Sequence, residues 1–203
     1  MVQSRRSGWA LLLGALLLVS GGAWAQRGAL TTSRGLDQLT QEAQTIVRGY
    51  VTSAKVERDP ELRNLTTVLI SMNVEETLKG SPQKTLQFRQ YIWDMRDQLD
   101  AARYAKGEEL LLMLGPVSPY GLTSPVGLDQ GRFRISRDNK GQAMAVNGRG
   151  NLRLFEATEQ RARARGMKLS PRVTTLVRQS QTKAGPLPLA DLEDTIRAFV
   201  GTK

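Results

Sequence analysis

LTTVLISMNVEETL, residues 65–78, decides the fold class. Val68, Ile70, Met72 and Val74 face one way, and Leu69, Ser71, Asn73 and Glu75 the other. Apolar side chains at period two mark a strand with one face in a core. Upstream, residues 45–56 (TIVRGYVTSAKV) carry Val47, Gly49 and Val51 on one face, and a polar turn, Glu57-Arg58-Asp59-Pro60-Glu61, follows. Downstream, Lys79-Gly80-Ser81-Pro82 reads as a turn, and residues 85–92 form a third strand with Leu86 and Phe88 on one side.

Residues 93–105 (WDMRDQLDAARYA) read as a helical insertion ended by Lys106-Gly107. Residues 108–115 (EELLLMLG) form an apolar strand buried on both faces. A loop rich in Pro, Ser and Gly spans 116–125, and strands at 132–136 and 143–147 make a hairpin around Asp138-Asn139-Lys140-Gly141. Strands at this spacing predict a mainly β fold, a small barrel or sandwich with peripheral helices. Residues 26–35 look like a leader, and 36–44 suit a short helix. Near the C-terminus, Leu189, Leu192, Ile196 and Phe199 form the apolar stripe of an amphipathic helix. Asp191, Glu193 and Asp194 sit in its first turns, where the helix dipole favours acids.

The chain opens MVQSRRSGWALLLGALLLVSGGAWAQ. Arg5 and Arg6 supply a positive start, residues 9–19 an apolar run, and Ala23-Trp24-Ala25 the small-x-small pattern before Gln26. These three regions in this order predict a signal peptide cleaved between Ala25 and Gln26, and hence export to the periplasm or beyond. The run is too short to stay as an anchor, which needs roughly 20 apolar residues. The predicted division is 1–25 signal, 26–44 leader and short helix, 45–150 β domain, 151–186 basic segment and 187–203 C-terminal helix. Composition leaves 151–186 open to being flexible.

The 203-residue chain carries 29 basic and 19 acidic side chains and no cysteine or histidine. Zinc sites built from Cys and His, Ser-His-Asp and Cys-His nucleophiles, thiol redox chemistry and a lipoprotein anchor are therefore excluded. Charge is uneven: residues 26–130 sum to −1, whereas 131–183 sum to +10.

Residues 46–56, then 66–80 (TTVLISMNVEETLKG), then 108–115 resemble the opening of the netrin-like, or tissue-inhibitor-of-metalloproteinase-like, branch of the OB-fold. Val74-Glu75-Glu76-Thr77-Leu78-Lys79-Gly80 carries the characteristic phrase that ends the second strand. GLDQGRFRI, residues 127–135, is similar to a phrase in a group of uncharacterised exported bacterial proteins that share this opening. The resemblance covers about residues 45–150 and implies a small OB-like barrel. The inhibitors bind the protease zinc through an N-terminal cysteine, and this chain has none, so that activity is not carried over.

Several residues could carry chemistry. Glu75 and Glu76 are neighbours on a strand and are expected on opposite faces, unable to converge on one bond. Asp94, Asp97 and Asp100 make an acidic stripe if helical, read as a solvated face. Ser118, Ser124 and Lys106 are the elements of a Ser-Lys site, with nothing that marks the lysine as buried. Arg132, Arg134, Arg161, Arg163, Arg165 and Lys168 are the candidate anion-binding residues of the basic segment, read beside the alternative of a generic basic surface. Phe133 and Phe155 are its only aromatics, too few for stacking on single-stranded nucleic acid.

The functional expectation is a non-enzymatic exported binding or interaction module, without a cofactor or metal. Its partner would be an envelope protein. Two alternatives stand beside it. One is binding of an anionic envelope polymer through residues 131–183. The other is an enzyme using carboxylates or Tyr91, Tyr104 and Tyr120.

Overall fold

The computed structural model describes residues 32–181 and 183–201. Ala23, Ala25 and Gln26, which bear the expected cleavage site, lie outside the described residues.

The two longest strands, β1 (Thr45–Arg58) and β2 (Thr66–Lys79), pair antiparallel, and β3 (Thr85–Tyr91) pairs with β2. The insertion after β3 contains a one-turn helix, α2 (Met95–Leu99), and a 3₁₀ turn, Ala101–Arg103. β4 (Glu109–Leu114) then returns to lie beside β1. The order β3-β2-β1-β4 is a Greek key. β5 (Arg132–Arg137), β6 (Ala143–Asn147) and the two-residue β7 (Leu187–Pro188) extend the sheet to seven antiparallel strands.

The fold is therefore mainly β, with five α-helices among the described residues. The sheet is not closed into a barrel. β5 continues onto β6 and β7, so it never turns back to pair with β3. The loop after β4 stands beside β3 instead and touches it at a single bridge, Arg89 to Leu122.

Each face of the sheet has its own core. Val47, Val51, Val68, Ile70, Met72 and Phe88 line one face, closed over by Ala102 and Tyr104 of the insertion. On the other face lie Ile46, Leu111, Met113 and Phe133. Helix α1 (Leu36–Glu42) brings Leu36 and Leu39 to that face, and α5 (Leu189–Val200) brings Leu192, Ile196 and Phe199. α3 (Thr158–Ala164) packs against α1, and α4 (Pro171–Ser180), which contributes Val173 and Val177, packs against α3 and α5. The basic stretch thus contains two packed helices. Ser170 caps α4 by accepting from Val173 N–H at 3.3 Å, and Pro171 fills the first turn. Such a cap contributes about 1 kcal/mol.

Candidate functional site

A broad depression, about 800 Å³, lies where β3 and the 115–128 segment part company. That volume falls in the range of small-molecule clefts, roughly 300–1,000 Å³. Tyr91 and Trp93 line it from the β3 side, Ser124 and Pro125 from the facing wall, and Leu122, Val126 and Leu128 add apolar lining. Trp93 stands edge-on to Tyr91, with ring centroids 4.8 Å apart, and is 73% exposed. Of the large apolar side chains exposed among the described residues, Trp93 lines this cleft. An exposed aromatic beside an apolar cleft is the kind of surface that marks a binding site.

A smaller recess of about 80 Å³ continues the groove toward the insertion. There Arg103 Nη2 donates to both Asp129 oxygens, at 2.9 and 3.1 Å, and Arg132 Nη2 donates to Asp129 Oδ1 at 3.2 Å. Arg132 also donates to Ala102 O at 2.8 Å and lies over the Tyr104 ring, 4.9 Å from its centroid. Tyr104 OH donates to Gln90 Oε1 at 2.9 Å. Burial pushes the Tyr104 hydroxyl up to about 12, with Arg132 opposing, so the ring stays neutral at pH 7 and is no base. The backbone here is strained. Ala101, Ala102 and Arg103 have φ of 49°, 54° and 64°, and Leu128 across the groove has 58°. Each such non-glycine residue costs about 1 kcal/mol, and strain of this kind clusters at ligand clamps.

The basic residues chosen from sequence do not gather at one place. Arg161 turns inward and pairs with Asp37, whose side chain is 2% exposed. Arg163 points outward and binds Glu159, while Arg165 caps the end of α3. Lys168 is exposed beyond it. Arg132 is in the recess, and Arg134 reaches Glu108. Arg153, Arg172 and Arg178 also sit on carboxylates. Phe133 and Phe155 are fully buried, so neither offers a stacking face.

Glu75 and Glu76 depart from expectation. The β1–β2 register shifts between Arg48 and Gly49, which oppose Glu76 and Val74, leaving Glu75 as the extra residue of a bulge. A bulge breaks the alternation of faces. Both carboxylates therefore meet the Arg48 guanidinium, which also holds Glu109 at 3.0 Å and Glu193 of α5 at 2.9 Å. Burial raises the Glu193 carboxyl above its ordinary range, with Glu76 adding to the effect and Arg48 opposing it. This cluster fastens α5 to the sheet. Asp94 and Asp97 line the recess, and Asp100 caps the 3₁₀ turn by accepting from Arg103 N–H at 3.2 Å. Ser118 and Ser124 line the groove, but Lys106 is exposed in the turn before β4 and is not among the groove's residues.

The groove itself was not named from sequence. Its one available signal was Trp93, an aromatic opening a mostly polar helical stretch. Among the described residues no group of three or more acids could hold a metal ion, and no helix is long and apolar enough to cross a membrane. No family model, no curated protein and no solved structure matches the chain.

Proposed function

We propose that this protein is a non-enzymatic exported binding module, built on an OB-like, netrin-like frame, whose partner sits in the groove beside β3. The frame is supported by the Greek key of long, bulged strands, since OB-folds are partly open Greek-key barrels. Export rests on the three-part N-terminal pattern. The observation that carries the binding role is Trp93, held 73% exposed on the rim of the apolar cleft.

Photocrosslinking tests it. Benzoylphenylalanine is placed at Trp93 in expressing cells, and at Leu152 as an exposed apolar control outside the groove. A discrete adduct from position 93 and none from 152 is expected. Equal labelling from both positions, or none from 93, removes the groove as the site.

Binding of an acidic envelope polymer is the second reading. Among the described residues Arg165 and Lys168 make no ion pair, and they would carry it.

A further inference from the structure

Resting on the groove reading above, we infer that the occupant is an extended, uncharged peptide segment of a partner protein, added as a strand beside β3. Val74 N–H donates to Lys84 O, and Ile92 N–H donates to Thr66 O, so the even-numbered residues of β3 face β2. By the alternation of the ladder, the N–H and C=O of Thr85, Gln87, Arg89 and Tyr91 point to the outer edge. Thr123 N–H donates to Arg89 O at 2.9 Å, at the single bridge to the following loop. Beyond that bridge the two segments splay. No described residue pairs with the outward groups of Tyr91, and the gap so opened is the groove.

The facing wall is different. Much of its backbone is already engaged: Ser124 O accepts from Gly115 N–H, Val126 N–H reaches Met113 O, and Leu128 N–H reaches Pro125 O. The outward N–H and C=O of Tyr91 thus stand open on the β3 side, beside an apolar lining. A strand supplies what this needs: main-chain partners on one edge and alternate apolar side chains below.

Charge narrows the choice further. The arginines at the rim are spent on neighbouring acids, Arg34 on Glu42 and both Arg103 and Arg132 on Asp129. A polyanion would find no unpaired cation among these, and a glycan few uncommitted side chains for its hydroxyls. An extended peptide without charge needs neither.

The test uses the full chain carrying Trp9→Phe and Trp24→Phe, which leaves Trp93 as the only one of three tryptophans. The probe is a mixture of blocked octapeptides made from Val, Ile, Thr, Ser and Pro, read by Trp93 emission. The best binder is then remade with alternate amides N-methylated, in each of the two phases. One phase should weaken binding at least about tenfold, the cost of two strand hydrogen bonds, and the other should leave it unchanged. Equal affinity of both phases overturns the strand geometry. A response to maltoheptaose but to no peptide overturns the peptide and keeps the groove. Silence toward every peptide overturns the inference, and the groove reading then stands or falls on the cross-link from position 93.

Discussion

Arg161 of α3 lays two parallel hydrogen bonds on the Asp37 carboxylate of α1, 2.7 Å to Oδ1 and 2.8 Å to Oδ2. Thr158 Oγ1 adds a third contact to Oδ1 at 3.2 Å. The acid is buried and the arginine is 27% exposed, so the pair joins two helices at the edge of the core. Removing one member of such a pair strands the other. Arg161→Ala should cost about 3 kcal/mol, a fall in Tm of about 6–12 °C for a chain of this size. Arg165→Ser should stay within about 0.5 kcal/mol. Thermal unfolding of the two variants side by side checks this, and equal small losses would show the pair to be incidental.

Heparin chromatography separates the two binding readings. Seven basic side chains between 131 and 183 are matched with carboxylates, so the protein should elute at or before lysozyme in a salt gradient. Retention well beyond that control, lost in Arg165→Ser with Lys168→Ser, would transfer the function to an acidic polymer. Arg161 is left intact in this test because replacing it would destabilise the protein and confuse the readout of binding.

Acid should loosen α3 from α4. Glu159 receives Arg178 at 2.7 and 2.9 Å and Arg163 at 2.5 Å. Hydrogen bonds from Arg178 outweigh burial and, with the charges of Arg163 and Arg178, hold its carboxyl at about 2 instead of 4.5. A lowered carboxyl stabilises above its unfolded pKa and stops doing so as pH falls through the folded one. The loss from Glu159→Gln should therefore be full at pH 7, shrink below pH 4.5 and approach nothing near pH 2. Urea midpoints at these pH values test it, and a loss independent of pH would contradict it.

Gly49 is required by contact. A Cβ there would stand 2.0 Å from Asn73 O and 2.9 Å from its carbonyl carbon, both backbone atoms of the paired strand. Gly49→Ala must push β1 from β2 beside the Glu75 bulge, at a cost of about 3 kcal/mol. Denaturant unfolding measures this, and a change below 1 kcal/mol would mean the strands can separate freely.

Local pattern was readable and long-range pairing was not. Val68, Ile70, Met72 and Val74 alternate in sequence and share one core, and the stripe of α5 packs as its spacing demands. The bulge at Glu75 could not be seen, because one extra residue leaves the apolar alternation before it untouched. Helix α4 hid behind its polarity: Ser170-Pro171 is a start signal, but only Val173, Leu176 and Val177 follow on the apolar side. Barrel closure depends on whether β5 meets β3, a choice made far from either sequence. The charge block misled for the same reason. Arg161 and Asp37 are 124 positions apart, so a linear count sees a cation where the fold holds a neutral pair.

β4 gives Leu110, Leu112 and Leu114 to one core and Leu111 and Met113 to the other. A single strand is thus common property of both halves. Neither half can melt while the other stays native, because losing β4 empties both at once. Heat should therefore take the protein apart in one sharp, all-or-none step, and a protease should find no folded half to release.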